Sequence, residues 1–196
     1  MSQVAKNLNN VVFVLDLSQP VSLALISENI KSFVSRGVPI RFGVVPLVSP
    51  LGQEDAVETQ LAQLLWYLTD VAGRGPAMSF LASLQKAANG KRVTPELARR
   101  KYEQLAARMP PMDGGELASY DEVQTGVGRH KASASHSRLN RARQYLRRLG
   151  VQLAGAQDVV EGESSAPVGS FFMNGAYFPL DDVSLDLTLL NTQRTS

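Results

Sequence analysis

Asn174-Gly175 stands between two aromatic-rich runs, Gly169–Met173 and Ala176–Leu180. A two-residue type I′ turn needs positive φ at both central positions, and Asn-Gly meets that demand at the least steric cost. The stretch therefore predicts a β-hairpin with those two runs as its strands. Pro167 leads into the first of them and is a candidate cis proline, because a cis X-Pro bond costs only about 0.5–1 kcal/mol.

Near the other end lies the apolar run Val11–Leu15. Its length and its branched residues predict a strand buried on both faces, as in a parallel sheet. Ser18 is placed to cap a following helix, with Pro20 in the first turn. Ile26, Ile30, Phe33 and Val34 recur at helical spacing, and Gly37 stops the pattern. A second strand follows over Val38–Val48, with Pro39 at its start and Pro46 near its end, where a lost ladder donor is tolerated. Strand, helix and strand in this order make a βαβ unit with a right-handed crossover.

Residues 54–109 read as helical. Val57, Leu61, Leu64, Leu65 and Leu68 form one apolar stripe, ended by Gly73-Arg-Gly-Pro76. Ala77, Phe80, Leu81 and Leu84 form a second, closed by Asn89-Gly90. Thr94-Pro95 opens a third, carried by Ala98, Tyr102, Leu105 and Met109. Trp66 and Tyr67 read as packing residues. The low-hydrophobicity stretch 110–135 reads as a mobile loop. Ser137–Leu149 reads as a helix with Leu139, Ala142, Leu146 and Leu149 inward, and 157–165 as an acidic loop. The tail 181–191 carries Val183, Leu187 and Leu190 at helical spacing, behind two aspartates suited to a helix N-terminus.

Composition removes several chemistries. Cysteine is absent, so disulfides, thiolate nucleophiles and cysteine-based metal sites are excluded. The absence leaves the compartment open, because an oxidising lumen permits disulfides without requiring them. A hydrophobic content of 44% allows a packed core, and a net charge of +2 is too small to imply a polyanionic partner. No leader pattern, glycosylation sequon or membrane-length apolar run occurs. The expectation is a cytosolic chain or a piece cut from a longer secreted protein. His130 and His136 lie apart from any carboxylate, which supports neither a metal pair nor a catalytic triad. Arg129, Lys131, Arg138, Arg141, Arg143, Arg147 and Arg148 form a basic run without an interleaved aromatic platform beyond Tyr145. A solvated face, or one docked on the acidic loop 158–163, is preferred there to nucleic-acid binding.

A proline leading into a hairpin that turns at Asn-Gly resembles the second half of the thioredoxin fold, in which that proline is cis. Setting aside the helical portion leaves the order β-α-β, α, β-β, α. The expected fold class is thus α/β, thioredoxin-like of the DsbA-like branch, with an inserted α-helical subdomain. Residues 1–196 form one domain in this reading. Its core is 8–48 and 136–196, and its helical insertion is 54–109 with the loop 110–135.

Three segments resemble a particular family more closely: residues 7–18 (Asn-Leu-Asn-Asn-Val-Val-Phe-Val-Leu-Asp-Leu-Ser), 37–46 (Gly-Val-Pro-Ile-Arg-Phe-Gly-Val-Val-Pro) and 171–180 (Phe-Phe-Met-Asn-Gly-Ala-Tyr-Phe-Pro-Leu). They are similar to an internal thioredoxin-like domain of the UDP-glucose:glycoprotein glucosyltransferases. The helical insertion carries no such match. The resemblance implies residence in the endoplasmic reticulum lumen and a part in recognising misfolded glycoproteins, whose N-glycans the parent enzyme re-glucosylates. It implies that catalysis, with UDP-glucose and a divalent metal (calcium by expectation), belongs to a separate domain bearing an Asp-x-Asp motif. This chain has no Asp-x-Asp, so the segment itself is expected to be a non-catalytic client-recognition or scaffold module, without a cofactor or metal of its own.

Where thioredoxins carry Cys-x-x-Cys, this chain reads Ser18-Gln-Pro-Val-Ser-Leu23. A hydroxyl does not replace a thiolate in disulfide exchange. The resemblance points instead to a peptide-binding surface at Gln19, Val21 and Pro167. The tail residues Val183, Leu187 and Leu190 would add an apolar patch if they lifted from the core. Expected partners are misfolded glycoproteins and neighbouring domains of the same polypeptide, with no nucleic acid, no membrane and a monomeric state. Two other classes remain open on the residues alone: a basic RNA-binding module, and a free-standing enzyme of the DsbA or glutathione-transferase type.

Overall fold

The computed structural model describes residues 9–37, 39–109, 116–128, 130–151, 153 and 169–180. Strand β1 (Asn9–Leu15) is central to a four-stranded sheet of order β2-β1-β3-β4. It runs parallel to β2 (Ile40–Pro46) and antiparallel to β3 (Gly169–Met173), which in turn pairs with β4 (Ala176–Pro179). The two ends of the chain therefore close one sheet. The β3–β4 hairpin turns at Asn174-Gly175, both at positive φ (50° and 90°), as the turn chemistry requires. Asn174 also donates its backbone N–H to the Asn10 carbonyl at 2.9 Å, which ties the turn to β1.

Register explains why β1 is buried on both faces. Phe13 lies opposite Phe171 and Val14 opposite Ser170. On one face a row of phenylalanine rings crosses the sheet, from Phe178 to Phe171 (4.9 Å between centroids), Phe13 (5.7 Å), Phe42 (6.4 Å) and Phe33 (5.8 Å). Offset ring pairs at these separations stabilise beyond the area they bury. On the other face Val14 packs with Ala62, Leu139 and Leu146.

The β1–β2 connection is one helical rod with a change of pitch. α1 (Pro20–Ala24) and α2 (Lys31–Ser35) flank a π-helical stretch, Leu25–Ile30. The rod stops at Gly37, φ 65°. Two details differ from the sequence expectation. Gln19, not Ser18, holds the capping position and makes no side-chain cap, while Val34 faces solvent. The second strand is shorter than Val38–Val48, beginning at Ile40.

Three long helices follow, largely as their stripes predict: α3 (Val57–Val71), α4 (Arg74–Ala88) and α5 (Pro95–Ala106), the last ending before Met109, which the third stripe includes. Leu61, Leu64, Leu68, Ala77, Phe80, Leu81, Leu84, Ala98 and Tyr102 are all buried. Thr94 caps α5 by accepting the Leu97 N–H at 3.3 Å. Only Ala72 and Gly73 separate α3 from α4, so Arg74-Gly-Pro76 is a helix start rather than a terminator. Tyr67 is buried and its hydroxyl accepts the Ala118 N–H at 2.6 Å, and Trp66 packs half-buried beside Leu139, consistent with packing roles.

The stretch expected to be a mobile loop contains a helix. Ser119 and Glu122 form a reciprocal capping box that starts α6 (Tyr120–Thr125). Two orphan donors satisfied at once nucleate a helix that hydrophobicity does not announce. α7 likewise begins at His130 rather than Ser137 and runs to Arg148. Burial pushes the Tyr120 phenol up to about 12, against the opposing pull of Arg99, whose guanidinium lies 4.6 Å from the ring centroid. Sheet residues and helices α3 to α6 share one apolar cluster, from Phe13 and Leu15 through Leu64 and Phe80 to Tyr102 and Val123. No described helix is long and apolar enough to cross a membrane.

Candidate functional site

Open α/β sheets place ligands outside the carboxyl ends of their parallel strands. Here that place is held by a polar knot. Asp16 and Ser18 leave the end of β1, and Ser49 follows β2; all three are buried. The Asp16 carboxylate accepts the Ser18 N–H at 2.8 Å and the Ser18 hydroxyl at 2.6 Å. The Ser18 hydroxyl in turn accepts from Arg92 Nε at 2.9 Å, and the Ser18 carbonyl accepts the Val93 N–H at 2.8 Å.

Arg92 sits in the turn between α4 and α5. Its Nη2 reaches Asp16 Oδ2 at 3.5 Å and Glu58 Oε2 at 3.4 Å. Glu58 lies in the first turn of α3, where the helix dipole favours its charge. Its other oxygen accepts the Ser49 hydroxyl at 2.7 Å, and Thr59 Oγ1 accepts the Ser49 N–H at 2.9 Å. The two carboxylate side chains are 5% and 7% exposed and the guanidinium side chain 53%, so one half-solvated cation serves two buried anions. Every oxygen named has a partner, which is how buried charge is tolerated.

The knot has a second anchor. Arg143, on α7, donates Nε to the Ser49 carbonyl at 2.9 Å and Nη2 to the Pro50 carbonyl at 3.2 Å and to Glu54 at 3.0 Å. The backbone amide of Gly52, foremost, and Arg143 hold the Glu54 carboxyl below its usual range. Other members of the basic run are accounted for differently. Arg138 pairs with Asp70 at 2.8 Å, while Arg141, Arg147 and Arg148 face solvent. The run is thus no uniform basic stripe, because one member, Arg143, is a buried tie. Arg129 and the acidic loop 158–163 lie outside the described residues.

At the surface beside the knot, Gln19 is half-buried and Val21 is 57% exposed. The structure brings these two together at the start of α1. Pro167, Val183, Leu187 and Leu190 lie outside the described residues. His136 meets Gln63 Nε2 through Nδ1 at 3.1 Å in the seam between α3 and α7. Among the described residues no group of three or more potential ligands is placed to hold a metal. The sequence reading missed Asp16, Glu58 and Arg92. Asp16 carried a signal, because an aspartate closing a buried strand demands a donor set. Arg92, in a Lys-Arg dipeptide on a loop, carried none.

A family model described as a thioredoxin-like domain matches residues 1–194. The chain belongs to the thioredoxin-like domain family. Solved structures agree on the fold of this thioredoxin-like domain. The thiol-disulfide exchange protein alpha-DsbA2 of Wolbachia pipientis superposes with a TM-score of 0.58 at 14% identity, over 95% of this chain and 80% of that one. BdbD of Bacillus subtilis, in its oxidised form, gives 0.56 at 12% identity, over 98% and 89%. A thioredoxin-like oxidoreductase of Silicibacter pomeroyi gives 0.55 at 12% identity, over 97% and 90%. No curated protein sequence matches the chain. The expected fold class, thioredoxin-like with DsbA-like relatives in structure, is borne out. Lacking any thiol, this member of the family has no group of its own for cysteine exchange.

Proposed function

We propose that this thioredoxin-like domain is a redox-inactive recognition module of a glycoprotein glucosyltransferase in the endoplasmic reticulum lumen. It binds misfolded glycoproteins, or positions them, for re-glucosylation by a separate catalytic domain. That other domain would supply the UDP-glucose and divalent-metal chemistry. The observation that carries the reading is the replacement of the thiol position by a self-satisfied polar knot, with Gln19 and Val21 at the surface beside it. A position sealed from chemistry and flanked by an exposed apolar side chain suits contact with an extended peptide better than turnover. The likeness of residues 7–18, 37–46 and 171–180 to the glucosyltransferase family supplies the biological setting. Val183, Leu187 and Leu190 are proposed to extend the same apolar surface from the tail.

A titration of the chain with one glycoprotein, in unfolded and native forms, tests this. Fluorescence anisotropy should show saturable, micromolar binding of the unfolded form and none of the native form. Serine at Val183, Leu187 and Leu190 together should weaken that binding. Equal binding of both forms, or binding of neither, contradicts the proposal.

A further inference from the structure

The chain contains two Asn-Gly pairs, Asn89-Gly90 and Asn174-Gly175, and both asparagines are exposed at positive φ (48° and 50°). Asn-Gly is the dipeptide most open to spontaneous deamidation, because a glycine nitrogen is sterically free to attack the preceding side chain. The two pairs differ in how the asparagine side chain is held. Asn174 Oδ1 accepts the Asn10 N–H at 2.9 Å, and its Nδ2 donates to Asn9 Oδ1 at 2.8 Å. The turn is further fixed between paired strands. Asn89 closes α4 in the left-handed conformation, with its backbone N–H on the Gln85 carbonyl. Among the described residues its side chain and the Gly90 N–H meet no partner, and the space where a Gly90 Cβ would stand is open within 4 Å.

We infer that Asn89 is a spontaneous modification site, converting to aspartate and isoaspartate, while Asn174 is protected. The Gly90 backbone nitrogen bonds to Cγ of Asn89. The C–N bond of the side-chain amide breaks, and its nitrogen leaves as ammonia carrying the proton given up by Gly90. Water then opens the cyclic imide at one carbonyl or the other, giving aspartate or isoaspartate with no oxidant or reductant involved. For Asn174 the same attack first requires release of both side-chain hydrogen bonds, each of modest net strength. The expected rate ratio is about tenfold, the equivalent of roughly 1.4 kcal/mol.

Asn89 lies close in sequence to two ties of the polar knot. Arg92 and Val93, three and four residues on, are held to Ser18 through its hydroxyl and its carbonyl. Isoaspartate inserts an extra backbone carbon just ahead of that turn, and either product places a negative charge at the α4 C-terminus, where the dipole opposes it. Ageing at residue 89 therefore loosens the polar knot.

The test is to incubate the whole chain at physiological temperature and mildly alkaline pH and to map peptides by mass spectrometry. Conversion at Asn89 should outrun that at Asn174 about tenfold, by the same 1.4 kcal/mol equivalence. N89Q should abolish the fast conversion. N9A, which removes one restraint on Asn174, should accelerate conversion at that site while leaving the Asn89 rate unchanged. Comparable rates at the two sites in the unaltered chain, or faster conversion at Asn174, overturn the inference.

Discussion

Gly169→Ala is expected to remove about 4 kcal/mol or more from the stability of this domain, a loss in the range reserved for a named structural failure. Gly169 opens β3 at φ +153°, where a side chain is strained. A Cβ there would stand 2.3 Å from the Val14 carbonyl oxygen and 3.1 Å from Leu15 Cδ2. The oxygen is backbone of the central strand and cannot swing aside. Relief requires parting β1 from β3 where Leu15 pairs with Gly169, and also disturbs the Leu180 N–H to Gly169 carbonyl bond at 3.0 Å. The melting temperature should fall by about 10 °C or more, given roughly 2–4 °C per kcal/mol at this chain length. Gly37→Ala separates strain from collision. Gly37 has φ +65° with nothing within 4 Å of a Cβ, so it should cost only about 1–2 kcal/mol. Equal losses at the two positions would refute the close approach of β3 to β1.

Arg143→Met should cost about 3 kcal/mol, because it leaves buried acceptors without a donor. The aliphatic stem is preserved, so packing changes little. What is lost is the fork that satisfies the Ser49 and Pro50 carbonyls. The Glu54 contact contributes less, since that side chain is 39% exposed and solvent can take over its hydrogen bonds. Arg147→Met, on the solvent side of the same helix, should change stability by less than about 0.5 kcal/mol. Urea unfolding measures both. No loss of stability in Arg143→Met would mean that α7 is not pinned to the loop after β2.

The fold was legible where periodicity and turn chemistry agreed. Asn174-Gly175 announced its hairpin, Val11–Leu15 its central strand, and the leucine stripes of α3 and α4 their buried faces. Legibility failed where structure is made by polar reciprocity. The Ser119–Glu122 box starts a helix inside a stretch too hydrophilic to suggest one. The candidate site shows the same limit. Ser18 invited reading as a cap, yet its hydroxyl serves Asp16 and Arg92. Arg143 is chemically identical to its exposed neighbours in the basic run. Only the arrival of α7 against the β2 exit buries it, and that contact joins positions 94 residues apart.

The knot also explains how a thioredoxin-like fold persists without its usual chemistry. Keeping the shape of that corner needs a partner for every buried polar group, not a thiol. The sealed corner leaves Val21 and Gln19 as the adjoining surface, and client contact is proposed to fall there. Hydrogen exchange by mass spectrometry, with and without an unfolded glycoprotein, tests that claim most directly. The account predicts added protection concentrated in peptides spanning residues 17–25, and weaker client binding with unchanged melting temperature in Val21→Asp. Protection confined to α5 or to the exposed face of α7, with residues 17–25 unchanged, would contradict it.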